Sequence, residues 1–150
     1  MLTQALKARK ARLADEKGFT LIELLAVIVI LAIIAVIAIP LIGNVIDNSK
    51  EDGDLATARQ IYDAARLYVI GEENGDFTTV NTVKLGVLQS NNFIEKNIAL
   101  PSSKVKLNEE TTIVSFDEHG NLTGVKLDPP GKGKTDGYSA SEILGVKTTP

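Results

Sequence analysis

Hydrophobic positions are concentrated in one continuous run near the start of the chain. From Phe19 to Ile42 the only charged side chain is Glu23, and Leu24 to Ile39 contains no polar residue. As a helix, this run of 24 residues rises about 36 Å, which exceeds the roughly 30 Å hydrocarbon core of a bilayer. The pattern therefore predicts a membrane-spanning helix.

A buried helix and a cleaved secretory signal both fit this run less well. A buried helix that is apolar on every face needs partners all round, and only 108 residues follow it to supply them. An ordinary secretory signal has a core of about 7 to 15 apolar residues before a small-x-small cleavage site. This run is longer and continues into Ile39-Pro40-Leu41-Ile42.

After Pro40 the hydrophobic positions become periodic. The spacings of 3 and 4 in this segment are typical of a helix lying against a domain. The apolar stripe is Leu55, Ala58, Tyr62, Ala65 and Val69, and the expected solvated side is Glu51, Asp52, Asp54, Arg59, Asp63 and Arg66. Stop signals at Gly71 and Asn74-Gly75 predict that the first helix runs from Phe19 to about Ile70, with Gly53 as a weak point.

The remaining residues, from about 71 onward, show shorter patterns. Residues 83–94 predict a short helix and a loop, and residues 111–116 and 122–127 read as two strands of a hairpin joined by 117–121. Residues 128–131, with two prolines and a glycine, are expected to end that sheet. Ser139 to Glu142 has the form of a capping box, so a last helical turn competes there with a third strand. The predicted fold class is α+β, a long N-terminal helix packed on a small antiparallel sheet.

Charge is distributed unevenly along the chain. The net charge of the 150 residues is −3, but residues 1–18 carry five basic and two acidic side chains, so the rest is −6. An acidic body lacks the basic footprint that nucleic-acid binding requires, so DNA as a partner is not supported by net charge. By the positive-inside rule, the basic segment should stay in the cytoplasm and the C-terminal part should be exported.

A short motif joins the basic segment to the apolar run. Residues 17–25 read KGFTLIELL, with Gly18 before Phe19 and Glu23 as the fifth residue after the glycine. This arrangement resembles the type IV pilin and pseudopilin family, whose precursors carry a class III leader that ends in glycine. The resemblance is specific over residues 16–42 and loose beyond them. Taken alone, Gly18 would read as a loop glycine before a helix.

The resemblance implies how the chain is processed and divided. A prepilin peptidase would cut between Gly18 and Phe19 and methylate the new amino group of Phe19. Gly18 is then a substrate residue, and glycine leaves nothing to clash in a narrow protease cleft. The expected parts are a cleaved leader at 1–18, a transmembrane and filament-core helix at 19–42, and a pilin head at 43–150 that includes the amphipathic half of the first helix.

Glu23 is the one carboxylate in the apolar run. An ionisable side chain within a membrane helix is costly and is by default a functional hypothesis. Cleavage would create a partner for it, the amino group of Phe19, at i, i+4 spacing in the same chain or in a neighbouring subunit. In the family, the second pairing sets the register of subunits added to a filament. The alternative is that Glu23 lies close enough to the membrane surface to reach water.

Pro40 is the expected site of a helix distortion. Proline removes one backbone hydrogen bond and clashes with the preceding turn, so a kink or a locally melted turn is expected over residues 36–40. The position matches a proline common in the resembled family. A glycine further along the helix that aids melting in the family is replaced here by Ala32, so any unwinding should be confined near Pro40.

The head carries no motif that establishes chemistry. His119 lacks a supporting nucleophile motif, and residues 128–135 fail the P-loop pattern. Calcium binding by Asp117, Glu118, Asp128 and Asp136 follows no recognisable ligand loop. Asn121-Leu122-Thr123 is a formal glycosylation acceptor, and Lys132, Lys134 and Tyr138 are expected in a solvated loop. We expect no catalytic residues, no metal and no cofactor.

The expected function is that of a structural subunit of a type IV pilus. Exposed apolar helices taken from lipid can hide their surface only against one another, and head-to-tail contacts that do not close give a helical homopolymer. The expected partners are further copies of the chain, the prepilin peptidase, a pilus assembly platform with its ATPase, and membrane lipid before assembly. The alternatives are a pseudopilin of a competence or type II secretion apparatus and a single-pass anchored binding protein that does not polymerise.

The chain has no cysteine. Disulfides, thiolate metal sites and a cysteine nucleophile are therefore excluded. Many pilins staple their C-terminal region with a disulfide, so this absence hints at a Gram-positive owner. It also predicts that the head is held together by packing alone.

Overall fold

The computed structural model of the chain describes residues 3–7 and 20–146. Its elements are α1 (Leu21–Glu72), β1 (Thr82–Lys84), α2 (Leu85–Ser90), β2 (Ile113–Phe116), β3 (Leu122–Lys126), β4 (Tyr138–Ser139) and α3 (Ala140–Leu144). The chain divides into two compact units with the boundary between Gly43 and Asn44. The long helix and the small antiparallel sheet confirm the predicted α+β, pilin-like fold class.

The sheet has the strand order β1-β2-β3-β4, and each neighbouring pair is antiparallel. The predicted hairpin is present as β2 and β3, with Val114 opposite Val125. Its turn is closed by the Asp117 carboxylate, which accepts the backbone N–H groups of His119 at 2.9 Å and Asn121 at 2.8 Å. Bonds donated by Asn121 are the main reason why the pKa of Asp117 is lowered.

The core lies between one face of α1 and one face of the sheet. The predicted apolar stripe is confirmed, since Ala58, Tyr62, Ala65 and Val69 are buried and Leu55 packs against them. The ring of Tyr62 lies 6.1 Å from that of Phe116 on β2. Burial alternates along β2, as expected for a strand with one face on the core.

Helix α1 ends close to the predicted stop signals. It extends to Glu72, two residues past the predicted end. Asn74 and Gly75 have φ of 51° and 75°, in the left-handed region. The N–H of Gly75 then donates to the carbonyl of Val69 at 2.8 Å, which satisfies one of the free carbonyls at the helix C-terminus.

Three local predictions for the head need correction. Residues 82–84 form strand β1, whereas only a short helix and a loop were expected over 83–94. A strand of three residues shows too little alternation of polar and apolar positions to be recognised in the sequence. The sheet does not end at residues 128–131, since the chain returns to add β4 beside β3. The competing strand and helical turn at the C-terminus are both present, one directly after the other.

Asp54 is also not where the periodicity placed it. It was expected on the solvated side of α1, yet it is fully buried, with 0% of its surface exposed. Its two carboxylate oxygens accept backbone N–H groups from two separate loops, from Ser102 at 3.0 Å and from Lys132 at 2.8 Å. A buried carboxylate is tolerated when its lone pairs are satisfied in this way.

Candidate site for membrane anchoring and assembly

The apolar half of α1 is uncovered in the structure. Its large hydrophobic side chains, from Leu21 to Ile42, are exposed. Among the described residues, α1 is the helix long and apolar enough to cross a membrane, and none of its most apolar 18-residue window is buried. This surface needs lipid or other protein around it, because a soluble monomer rarely exposes so large an apolar area.

Glu23 lies in the first turn of α1 and takes part in its N-cap. The N–H of Thr20 donates to the Glu23 carboxylate at 3.0 Å, and the N–H of Glu23 donates to the Thr20 hydroxyl at 3.3 Å. These reciprocal bonds form a capping box, which satisfies two of the free N–H groups at a helix N-terminus. This capping box was not predicted from the sequence, although Thr20 and Glu23 have the required residue types and spacing.

The other predicted site residues of this segment have different outcomes. Gly18 and Phe19, the predicted cleavage and methylation positions, lie outside the described residues. Helix α1 is continuous through Pro40, so the locally melted turn that was one alternative over residues 36–40 is not found. The kink at Pro40 stays a prediction.

The loop between β3 and β4 is held in place by charged groups. The ammonium of Lys132 lies 2.6 Å from the Asp47 carboxylate, and this contact is the main cause of the lowered pKa of Asp47. Lys134 forms an ion pair with Glu142, and its ammonium lies 5.5 Å from the centre of the Tyr138 ring. Lys132 and Lys134 were expected in a solvated loop, but each forms an ion pair that fixes this short segment.

Glu142 organises the C-terminal turn. Its pKa is lowered to about 2, first by the hydrogen bond from Lys134 and then by bonds from Ser139. Ser139 and Glu142 form the predicted capping box of α3, with the Ser139 N–H donating to the Glu142 carboxylate at 2.9 Å. Arg59 on α1 donates to the carbonyl of Glu142 at 3.0 Å, so the C-terminal turn is fixed to α1 without a disulfide.

The remaining candidate side chains of the head are not assembled into a site. His119 is exposed in the hairpin turn. In residues 3–7 and 20–146, no three or more His, Cys, Asp or Glu side chains are grouped so as to hold a metal ion. Asp128, one of the four carboxylates considered for calcium, instead accepts a hydrogen bond from the Thr111 hydroxyl.

The comparisons bear on the N-terminal segment. Residues 13–39 match the family model of the prokaryotic N-terminal methylation motif. This motif is the class III signal of type IV pilins and pseudopilins. Comparison with curated proteins gave no match, and comparison with solved structures gave none either.

The motif defines the class of the chain at a coarse level. The chain carries the signal of a prepilin-peptidase substrate of pilin-like or pseudopilin type. Such a signal implies processing and polymerisation. With the uncovered apolar helix that follows, it indicates membrane anchoring and surface display.

Proposed function

We propose that this chain is the precursor of a structural, non-enzymatic subunit of a type IV pilus. The observation that carries the proposal is the match at residues 13–39 to a methylation motif that extends into the exposed apolar half of α1. A prepilin peptidase cuts after Gly18 and methylates Phe19. An assembly platform driven by an ATPase then draws the 132 remaining residues from the membrane into a filament.

In this proposal, the apolar helix has two successive environments. Before assembly it spans the cytoplasmic membrane, with the basic leader inside and the head outside. After assembly the helices of neighbouring subunits cover one another, because no lipid accompanies them. The same apolar surface therefore serves first as an anchor and then as the filament core.

We propose that Glu23 sets the register in which subunits add to the filament. Its carboxylate already accepts the Thr20 N–H, and three covalent bonds separate that nitrogen from the amino nitrogen of Phe19. Cleavage therefore places a positive charge near the carboxylate of each chain, and methylation keeps that charge. The filament core would bury the Glu23 carboxylate, and a buried charge without a partner is costly. Pairing of Glu23 with the Phe19 amino group of a neighbouring subunit therefore favours the correct register.

The proposal is tested by expressing the chain in cells that are proficient in pilus assembly and examining material sheared from their surface. Long fibres that contain the chain are expected. Gly18→Arg should block cleavage, leave the precursor in the membrane and abolish fibres, whereas Gly43→Ala, a glycine change with no neighbour within 4 Å of the added Cβ, should leave fibres intact.

The same experiment separates the alternatives. The class III signal is shared by pilins and pseudopilins, so a processed chain that stays in the cell envelope without long surface fibres would favour a pseudopilin of a competence or secretion apparatus. A chain that remains an uncut, dispersed membrane protein would show that it is an anchored binding protein and would overturn the proposal.

A further inference from the structure

A groove lies on the head beside the C-terminal half of α1. We call it the Leu67 groove; it has a volume of about 550 Å³ and is lined by residues that include Gln60, Asp63, Ala64, Leu67, Phe93 and Glu95. Leu67, near the C-terminal end of α1, is 60% exposed and lies on the side of the helix away from the core. Ile70, one turn further along, is exposed as well. The groove thus presents apolar surface that no part of residues 3–7 and 20–146 covers.

The walls of the groove are fixed by contacts within the head. The ring of Phe93 stands edge-on to that of Tyr68, with the centroids 5.6 Å apart and the planes at 90°. The Phe93 N–H donates to the carbonyl of Leu88 at 2.9 Å, and the Gln89 side-chain amide donates to the carbonyl of Glu95 at 3.1 Å. A partner would therefore meet a preformed groove that costs little to order.

A complementary projection is present elsewhere on the same head. In the loop at residues 101–105, which begins with a turn at 101–103, Lys104 has φ of 60° and is exposed, and Val105 is 50% exposed. The turn is held in place, because the Lys104 N–H donates to the carbonyl of Leu100 at 2.8 Å and the Ser102 N–H donates to Asp54 at 3.0 Å. We call this projection the Lys104–Val105 turn.

The charges of the two surfaces are opposite. Asp63 and Glu95 line the groove together with one ammonium, that of Lys96, so the groove is negative by one charge. Within the described part of the chain, neither carboxylate forms an ion pair, and neither does the ammonium of Lys104. Docking the turn into the groove would pair these charges and cover two exposed apolar side chains at once.

The positions of the two surfaces suit a repeating contact. The turn is bonded to Asp54, and Ala64 lines the groove. These residues lie ten positions apart on α1, which is a rise of about 15 Å along the helix axis. A copy displaced by about that distance along the axis would bring its turn level with the groove of its neighbour. A contact between two different surfaces propagates as an open filament when the rotation between successive copies does not close a ring.

We propose that the Leu67 groove receives the Lys104–Val105 turn of a second copy of this chain. The inference rests on the proposed function, since it assumes that copies polymerise, and it adds a head-to-head contact to the contacts made by the apolar helix. The absence of cysteine from the chain allows a clean test with paired cysteines.

The test compares two double variants in assembled fibres under mild oxidation. Leu67→Cys with Val105→Cys should give a ladder of covalent multimers, whereas Leu67→Cys with Thr123→Cys, an exposed position on β3, should not. Fibres of normal length that yield no ladder from the first pair would overturn the inference. Failure of the unmodified chain to form fibres would instead count against the proposed function.

Charge exchange provides a second measurement that does not depend on cysteine chemistry. Lys104→Glu should reduce fibre yield about tenfold, because like charges would then face one another across the contact. Adding Asp63→Lys and Glu95→Lys to that chain should restore the yield. Equal yields from the unmodified chain, the single variant and the triple variant would contradict the proposed contact.

Discussion

Thr20 and Glu23 bond to one another reciprocally at the start of α1, each through its backbone N–H to the side chain of the other. Glu23 therefore has a local structural role before any subunit is added to it. A loss of assembly on changing Glu23 could follow from a frayed helix start as well as from a lost charge. The two roles can be separated, because Thr20 contributes to the cap and carries no charge.

We expect Glu23→Gln to abolish fibres while processing after Gly18 continues. Glutamine keeps the size and the hydrogen-bonding oxygen of glutamate, so the cap survives and only the charge is lost. Thr20→Ala should weaken the helix start by about 1 kcal/mol yet leave fibre formation largely intact. Immunoblots of sheared material measure assembly, and immunoblots of membranes measure cleavage. A normal yield of fibres from Glu23→Gln would show that the charge of Glu23 does not set the register of the subunits.

Asp54→Asn should loosen one of the two loops that Asp54 holds, at Ser102 or at Lys132. The amide of asparagine would present a donor to a backbone N–H, so one of the two bonds to Ser102 and Lys132 is lost at a cost of about 1–3 kcal/mol. We expect faster trypsin cleavage in the detergent-solubilised mature chain, at Lys104 if the bond to Ser102 is lost and at Lys132 and Lys134 if the bond to Lys132 is lost. Asp52→Asn, an equal change of charge at an exposed neighbour on α1, is the control, and equal cleavage of the two variants would contradict the role of Asp54.

Gly53→Ala should destabilise the head even though alanine favours helices. A Cβ at this position would lie 2.9 Å from the Cβ of Pro101, so the loop that carries Pro101 must shift. We expect a net loss of about 1 kcal/mol, since overpacking costs about 1–3 kcal/mol and the helix gains up to about 1 kcal/mol. Gly43→Ala, whose Cβ meets nothing within 4 Å, should not lower stability, as measured by the tyrosine near-ultraviolet circular dichroism signal on heating.

Acid should destabilise the head through Glu142. Its pKa in the folded chain is about 2, against an ordinary value of 4.5, so the folded form binds this proton more weakly than the unfolded form. The stability due to its bonds with Lys134 and Ser139 is present above pH 4.5 and is lost as the pH falls from about 4.5 to about 2.

Denaturant unfolding of the mature chain in detergent, followed by tyrosine circular dichroism across that window, should therefore show a smaller pH dependence for Glu142→Gln. Asp76, whose pKa is also about 2 because Thr78 and Thr79 donate to it, leaves a residual dependence in the variant. An unchanged slope would contradict the role given to Glu142.

The parts of the fold predicted from the sequence are those set by local patterns. The apolar run, the stripe on α1, the β2–β3 hairpin and the box of Ser139 and Glu142 all depend on residues close together in the chain. The box of Thr20 and Glu23 was equally local, but the lone carboxylate was interpreted by its charge alone.

The missed features depend on residues far apart in the chain. The periodicity of α1 could not show that Asp54 is buried, since the groups that satisfy it belong to loops 48 and 78 residues away. Gly53 was read as a weak point of the helix, whereas it leaves room for Pro101. The Leu67 groove likewise arises only when the loop after α2 packs beside α1.

The central claim is tested most directly by the mass of the chain in fibres sheared from the cell surface. The account predicts a chain of 132 residues that begins at Phe19 and is heavier by one methyl group on its amino nitrogen. Intact chains that retain residues 1–18 in surface fibres, or chains cut at another bond, would contradict it.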